Sequence, residues 1–133
     1  MNTAFWKAAL AYLIPTFPLG YVWHLVTFHA QYEQLKLYRA EVIIPMGLAS
    51  MAVQSVFFAW AYPRLFSTAR SEWVSSALRA WVIFGGLAWS FTTLPVAAKY
   101  QMTSVPLFLA LETAFTVVQF AVVAPLLALA MRR

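Results

Sequence analysis

Residues 109–120, LALETAFTVVQF, sit inside the longest apolar run of the chain and carry one carboxylate, Glu112, and one amide, Gln119. A hydrocarbon core of about 30 Å takes roughly 20 helical residues to cross. A charged side chain near the centre of such a crossing costs about 2.5–3.5 kcal/mol or more. The segment therefore reads as a membrane-crossing helix that turns its acid toward other protein or enclosed water. Glu112, Thr116 and Gln119 stand at i, i+4 and i+7, which is one face of that helix.

The rest of the chain agrees with a lipid solvent. Its 133 residues are 63% hydrophobic and only 10% charged, with a mean hydropathy of +0.74, whereas soluble domains carry about 25% charged residues. Four stretches are long and apolar enough to cross: about 8–28, 43–62, 80–98 and 105–130. Backbone groups in lipid must be paired within the protein, and apolar runs without strict alternation choose helices over a barrel. The expected fold is an all-α integral membrane protein: one transmembrane domain over 1–133, built as a four-helix bundle.

Nine of the thirteen charged residues lie in the connections HAQYEQLKLYRAE (29–41), RLFSTARSEWVSSALR (64–79) and KYQMTS (99–104). Lys7, Arg64, Arg70, Arg79, Arg132 and Arg133 fall on one side, against Lys36, Arg39 and Lys99 on the other. That bias puts both termini in the cytoplasm, in a cell inner or plasma membrane. The same scattered cations account for the +5 net charge, so nucleic acid is not an expected partner. Trp6, Tyr12, Tyr32, Tyr38, Tyr62, Trp73 and Tyr100 read as interfacial belt residues, and 29–41 reads as a short interfacial helix or a solvated loop. Ser71 is placed to cap the third helix.

Depth along each helix sorts the polar residues. Gln54 and Gln119 fall near the middle of spans two and four, and Glu112 lies about 10 Å from the midplane on the non-cytoplasmic side. His24 reaches a similar outer depth on span one and is the expected side-chain partner of Glu112. Ser90, Thr92 and Thr93 put span three into the same zone. The IPTFPLG stretch of span one, with Pro15, Pro18 and Gly20, predicts a kink, because proline cannot donate to the preceding turn. Gly85 and Gly86 predict a close helix approach. The pieces MAVQSVFFA and FTVVQFAVVA share a Val-Gln pair and raise a faint hairpin repeat.

The absence of cysteine and aspartate removes thiol chemistry and most carboxylate-held metal sites. His24, His29 and Glu33 make a poor metal set, no phosphate loop or hydrolase elbow is present, and no cofactor is expected. The candidate ligand-binding or proton-carrying residues are Glu112, His24, Gln54, Gln119 and Thr116, with no catalytic residue assigned. Three functions fit, in this order: binding or transport of a lipophilic or weakly basic small molecule, an accessory subunit of a larger membrane complex, and an intramembrane acid–base enzyme. The expected partners are membrane lipids, a lipophilic ligand, and a second copy or larger complex, since four short helices leave little room for a path.

Overall fold

The computed structural model describes residues 2–133, and within them the chain is helical with no strand. Helix α1 (Thr3–Val22) starts at Asn2, whose side chain accepts the Phe5 N–H at 3.1 Å. Pro15 and Pro18 lie inside α1, and the departure from α geometry follows them as a π-helical turn, Trp23–Thr27. The turn closes with the Phe28 N–H donating to the Trp23 carbonyl at 3.1 Å. Such wide turns are frequent at functional sites.

Helix α2 (His29–Leu35) ends at Lys36 in the left-handed region, φ 55°. Its last carbonyls have no helical partners and are taken by the α4–α5 connection. The Thr103 N–H donates to the Leu35 carbonyl at 3.2 Å, and the Thr103 hydroxyl donates to the Gln34 carbonyl at 2.7 Å. Residues 29–35 are therefore pinned inward. Tyr32 and Leu35 are fully buried against Phe108 and Leu111, so the solvated-loop reading fails there.

Helix α3 (Ile44–Leu65) has Pro45 in its first turn, where a missing N–H is harmless. A 3₁₀ turn, Arg70–Glu72, leads into α4 (Trp73–Lys99), and Ser104 caps α5 (Val105–Met131) by accepting the Leu107 N–H at 3.3 Å. The expected Ser71 cap does not form: Ser71 lies within the 3₁₀ turn, and Glu72 stands at the α4 N-cap without a side-chain bond. Helix α4 begins well before residue 80 because SEWVSSALR is helical while too polar to register as a span.

Four helical stretches, Thr3–Thr27, Ile44–Leu65, Arg70–Lys99 and Val105–Met131, are long and apolar enough to cross a membrane. Their outward faces carry large apolar side chains such as Ile14, Phe57 and Phe91, which a lipid solvent accepts. Helix α5 is central, packing on α4 and α1, and α1 packs on α3. Near the chain termini α3 is joined to α4 by rings, with Phe58 and Phe66 at 4.7 and 5.2 Å from Phe84. At the opposite end the first turns of α3 are left uncovered, Met46 being 67% exposed.

Several residues assigned to the interface belong to the core. Tyr12 and Tyr62 are buried inside the bundle, whereas Trp6 and Tyr100 are exposed. On α1 the buried positions Ala8, Tyr12, Thr16 and Gly20 recur every fourth residue, and the next step along that row is His24.

Of the two adjacent glycines in α4, only Gly85 makes a close approach. A Cβ there would meet Phe120 at 3.4 Å, while one at Gly86 would meet nothing within 4 Å. Gly85→Leu should therefore lower stability by about 1–3 kcal/mol through overpacking, and Gly86→Leu should leave it nearly unchanged. Equilibrium unfolding in detergent checks the contrast; equal effects would contradict the α4–α5 contact.

Candidate functional site

Glu112 lies on the inward face of α5 and meets two groups through one oxygen. The Tyr32 hydroxyl donates to Glu112 Oε1 at 2.5 Å, and His24 Nε2 lies 3.1 Å from the same atom. The other imidazole nitrogen, Nδ1, is 2.9 Å from the Gly20 carbonyl. Three segments thus converge: α5 supplies the acid, the π turn supplies the histidine and α2 supplies the phenol.

The donor inventory fixes the proton count. A carbonyl only accepts, so Nδ1 carries a hydrogen toward Gly20. In a neutral imidazole Nε2 would then be an acceptor, and it faces a carboxyl oxygen. Two acceptors do not bond. A second proton must therefore lie between Nε2 and Oε1, on one side as imidazolium with carboxylate, or on the other as imidazole with carboxylic acid. Either arrangement leaves the pair neutral overall, which suits side chains only 19% and 16% exposed. Burial pushes the Tyr32 phenol well above its ordinary range, and the adjoining Glu112 carboxyl group adds to the shift. Tyr32 consequently stays a donor at physiological pH.

Aromatic rings enclose the imidazole. Its centroid is 4.5 Å from Phe115, edge to face, and 4.8 Å from Tyr32, and Tyr38 stacks on Tyr32 at 5.0 Å and 9°. Past this cage lies a cleft of about 420 Å³ between α1 and the uncovered start of α3. Phe17, Gly20 and Tyr21 form one wall, Gly47 and Met51 the facing one. His24 and Tyr38 stand where the cleft meets the network, and Arg39 is its charged lining residue. Tyr32 and Glu112 do not line it.

A second polar layer lies two turns further along α5. The Tyr12 hydroxyl donates to Gln54 Oε1 at 2.5 Å and accepts from Gln119 Nε2 at 3.3 Å, and Gln54 Nε2 donates to Ser50 at 3.0 Å. The two Val-Gln pairs thus meet at one phenol and tie α1, α3 and α5 together. Thr116 joins neither layer: its hydroxyl donates to the Glu112 backbone carbonyl at 2.9 Å. Ser90 and Thr92 likewise bond back to their own helix, and span three contributes nothing to the Glu112 network.

His29 pairs with Glu33 at 3.3 Å, with both side chains more than half exposed. Among the described residues no three metal-ligating side chains come together. The sequence reading missed Tyr12 and Tyr32, the two phenols that complete the layers. No protein-family model matches the chain, and neither the curated proteins nor the solved structures contain a significant match.

Replacing Glu112 separates fold from charge. Glu112→Ala leaves His24 Nε2 and the Tyr32 hydroxyl unpaired and should cost about 2–4 kcal/mol. Glu112→Gln, with its amide nitrogen in the place of Oε1, can donate one N–H to neutral His24 and the other to the Tyr32 hydroxyl oxygen, so it should keep stability within about 1 kcal/mol. Tyr32→Phe removes one interhelical bond and should cost about 1 kcal/mol. Unfolding titrations in detergent would check the ranking; a Glu112→Ala variant as stable as wild type would refute the bonding scheme.

Proposed function

We propose that this multi-pass protein binds a lipophilic small molecule in the cleft between α1 and α3, with the His24–Glu112 proton pair as the polar element beside it. The observation that carries the reading is adjacency: an apolar cleft of about 420 Å³ ends on the imidazole that shares a proton with Glu112. Intramembrane ionisable side chains are expensive and default to function. A packed, featureless interior would favour an accessory subunit instead. Of the two ligand classes expected, the lipophilic one fits better. Glu112 does not line the cleft, and its charged lining residue, Arg39, repels a protonated amine.

In this reading both termini face the cytoplasm, following the cation bias of the connections. The site then lies in the outer half of the bilayer. A bend between Pro15 and Gly20 would turn the concave side of α1 toward the bundle. The exposed start of α3 gives a ligand access from the lipid phase, without an aqueous path. Transport through so small a bundle would take a homodimer. Gln54 and Gln119 act as interhelical ties, because their bonds close on Tyr12.

Gly47 supplies the test, since a Cβ added there meets nothing within 4 Å. Gly47→Leu should fill the cleft without disturbing the bundle, and it raises helix propensity. Protein purified in polymer-bounded nanodiscs should release a lipophilic compound, detected by mass spectrometry, that the variant loses by about tenfold or more at unchanged stability. A wild-type protein and a Gly47→Leu variant with the same co-purifying compounds would overturn the proposal.

A further inference from the structure

At the end of the bundle holding the chain termini, a second groove of about 640 Å³ runs between α1, α3 and α5. Its apolar floor includes Phe5, Phe57, Trp60 and Met131, and its charged residues are Arg64 and Arg133. We infer that this groove binds an anionic phospholipid of the surrounding bilayer, with acyl chains along the apolar floor and the phosphate between the two arginines.

Arg64 is pre-positioned for that role. Its guanidinium lies 4.4 Å over the Trp60 ring, and Nη1 donates to the Trp60 carbonyl at 2.6 Å. These contacts hold the long side chain in place, so less rotamer freedom is lost when a phosphate arrives. No carboxylate side chain lines the groove among the described residues, and the ion pairs found among them, His24–Glu112 and His29–Glu33, involve neither Arg64 nor Arg133. The remaining guanidinium donors match phosphate oxygens, which Arg engages in a bidentate fork. The antiparallel order of the spans brings Lys7, Arg70, Arg79 and Arg132 to the same end of the bundle, with Glu72 as its one acid. Basic pockets between membrane helices take anionic headgroups for this reason. The inference is independent of the cleft at His24, which lies toward the other end of α1.

Native mass spectrometry of the full chain tests it, with dioleoyl phosphatidylglycerol and dioleoyl phosphatidylcholine titrated separately into delipidated protein. The first phosphatidylglycerol should bind roughly tenfold tighter than the first phosphatidylcholine. Arg64→Gln/Arg133→Gln should abolish that preference, and Arg70→Gln/Arg79→Gln, which alters charge at the same end outside the groove, should retain it. Equal binding of the two lipids by wild type would overturn the inference. So would a preference that survives in the first double variant, or one lost equally in both, which would mean diffuse surface charge. Gly47→Leu should leave the preference intact, so a failure here is separable from a failure of the cleft proposal.

Discussion

The His24–Glu112 contact is the constraint around which the end of the bundle opposite the chain termini is organised. A carboxylate within an apolar helix needs a donor, and lipid supplies none. Helix α5 can keep Glu112 only by turning it toward groups brought from elsewhere in the chain. The π turn sets His24 so that one nitrogen donates to Gly20 and the other shares a proton with the acid. Helix α2 must fold inward to add Tyr32, and the α4–α5 connection holds α2 there through Thr103. The network is built from contacts far apart in sequence, yet each follows from satisfying one largely enclosed acid.

The two polar layers divide the labour. Tyr12, Gln54 and Gln119 exchange neutral hydrogen bonds and touch three helices. Interhelical bonds of this kind contribute on average only about 0.6 kcal/mol in membranes, so the layer sets register more than stability. The Glu112 layer differs because it contains two ionisable side chains and adjoins a cleft. Opening of α3 at that end and its aromatic closure at the other, through Phe58, Phe66 and Phe84, are two consequences of one packing pattern. Where α3 makes few contacts, its small residues and Gly47 leave space.

The sequence carried Glu112 and His24 because each is an isolated polar residue in an apolar run, and helical rise alone puts them at similar depth. It carried the four long apolar helices through the length of their apolar runs. Tyr12 was misplaced because α1 begins at Thr3 rather than near residue 8, which moves the phenol inward by more than one turn. Tyr32 was misread because its burial depends on the Thr103 tie, a contact 69 residues distant that no local pattern encodes. The spacing of Tyr32 and Leu35, three apart on one helical face, was the available signal. Thr116 shared the polar face of α5 in sequence, but a threonine in a helix readily bonds to the carbonyl four residues back, and that is its fate here.

Nitrogen-15 magnetic resonance of the His24 imidazole, with selective labelling in a lipid bilayer, addresses the shared proton most directly. The geometry predicts that Nδ1 is protonated at neutral pH and that Nε2 is strongly hydrogen-bonded, with the Nε2 signal displaced by Glu112→Gln and that of Nδ1 retained. A neutral imidazole protonated only at Nε2, with a bare Nδ1, would contradict the account, because Nδ1 and the Gly20 carbonyl would then face each other as two acceptors and no second proton would be needed beside Glu112.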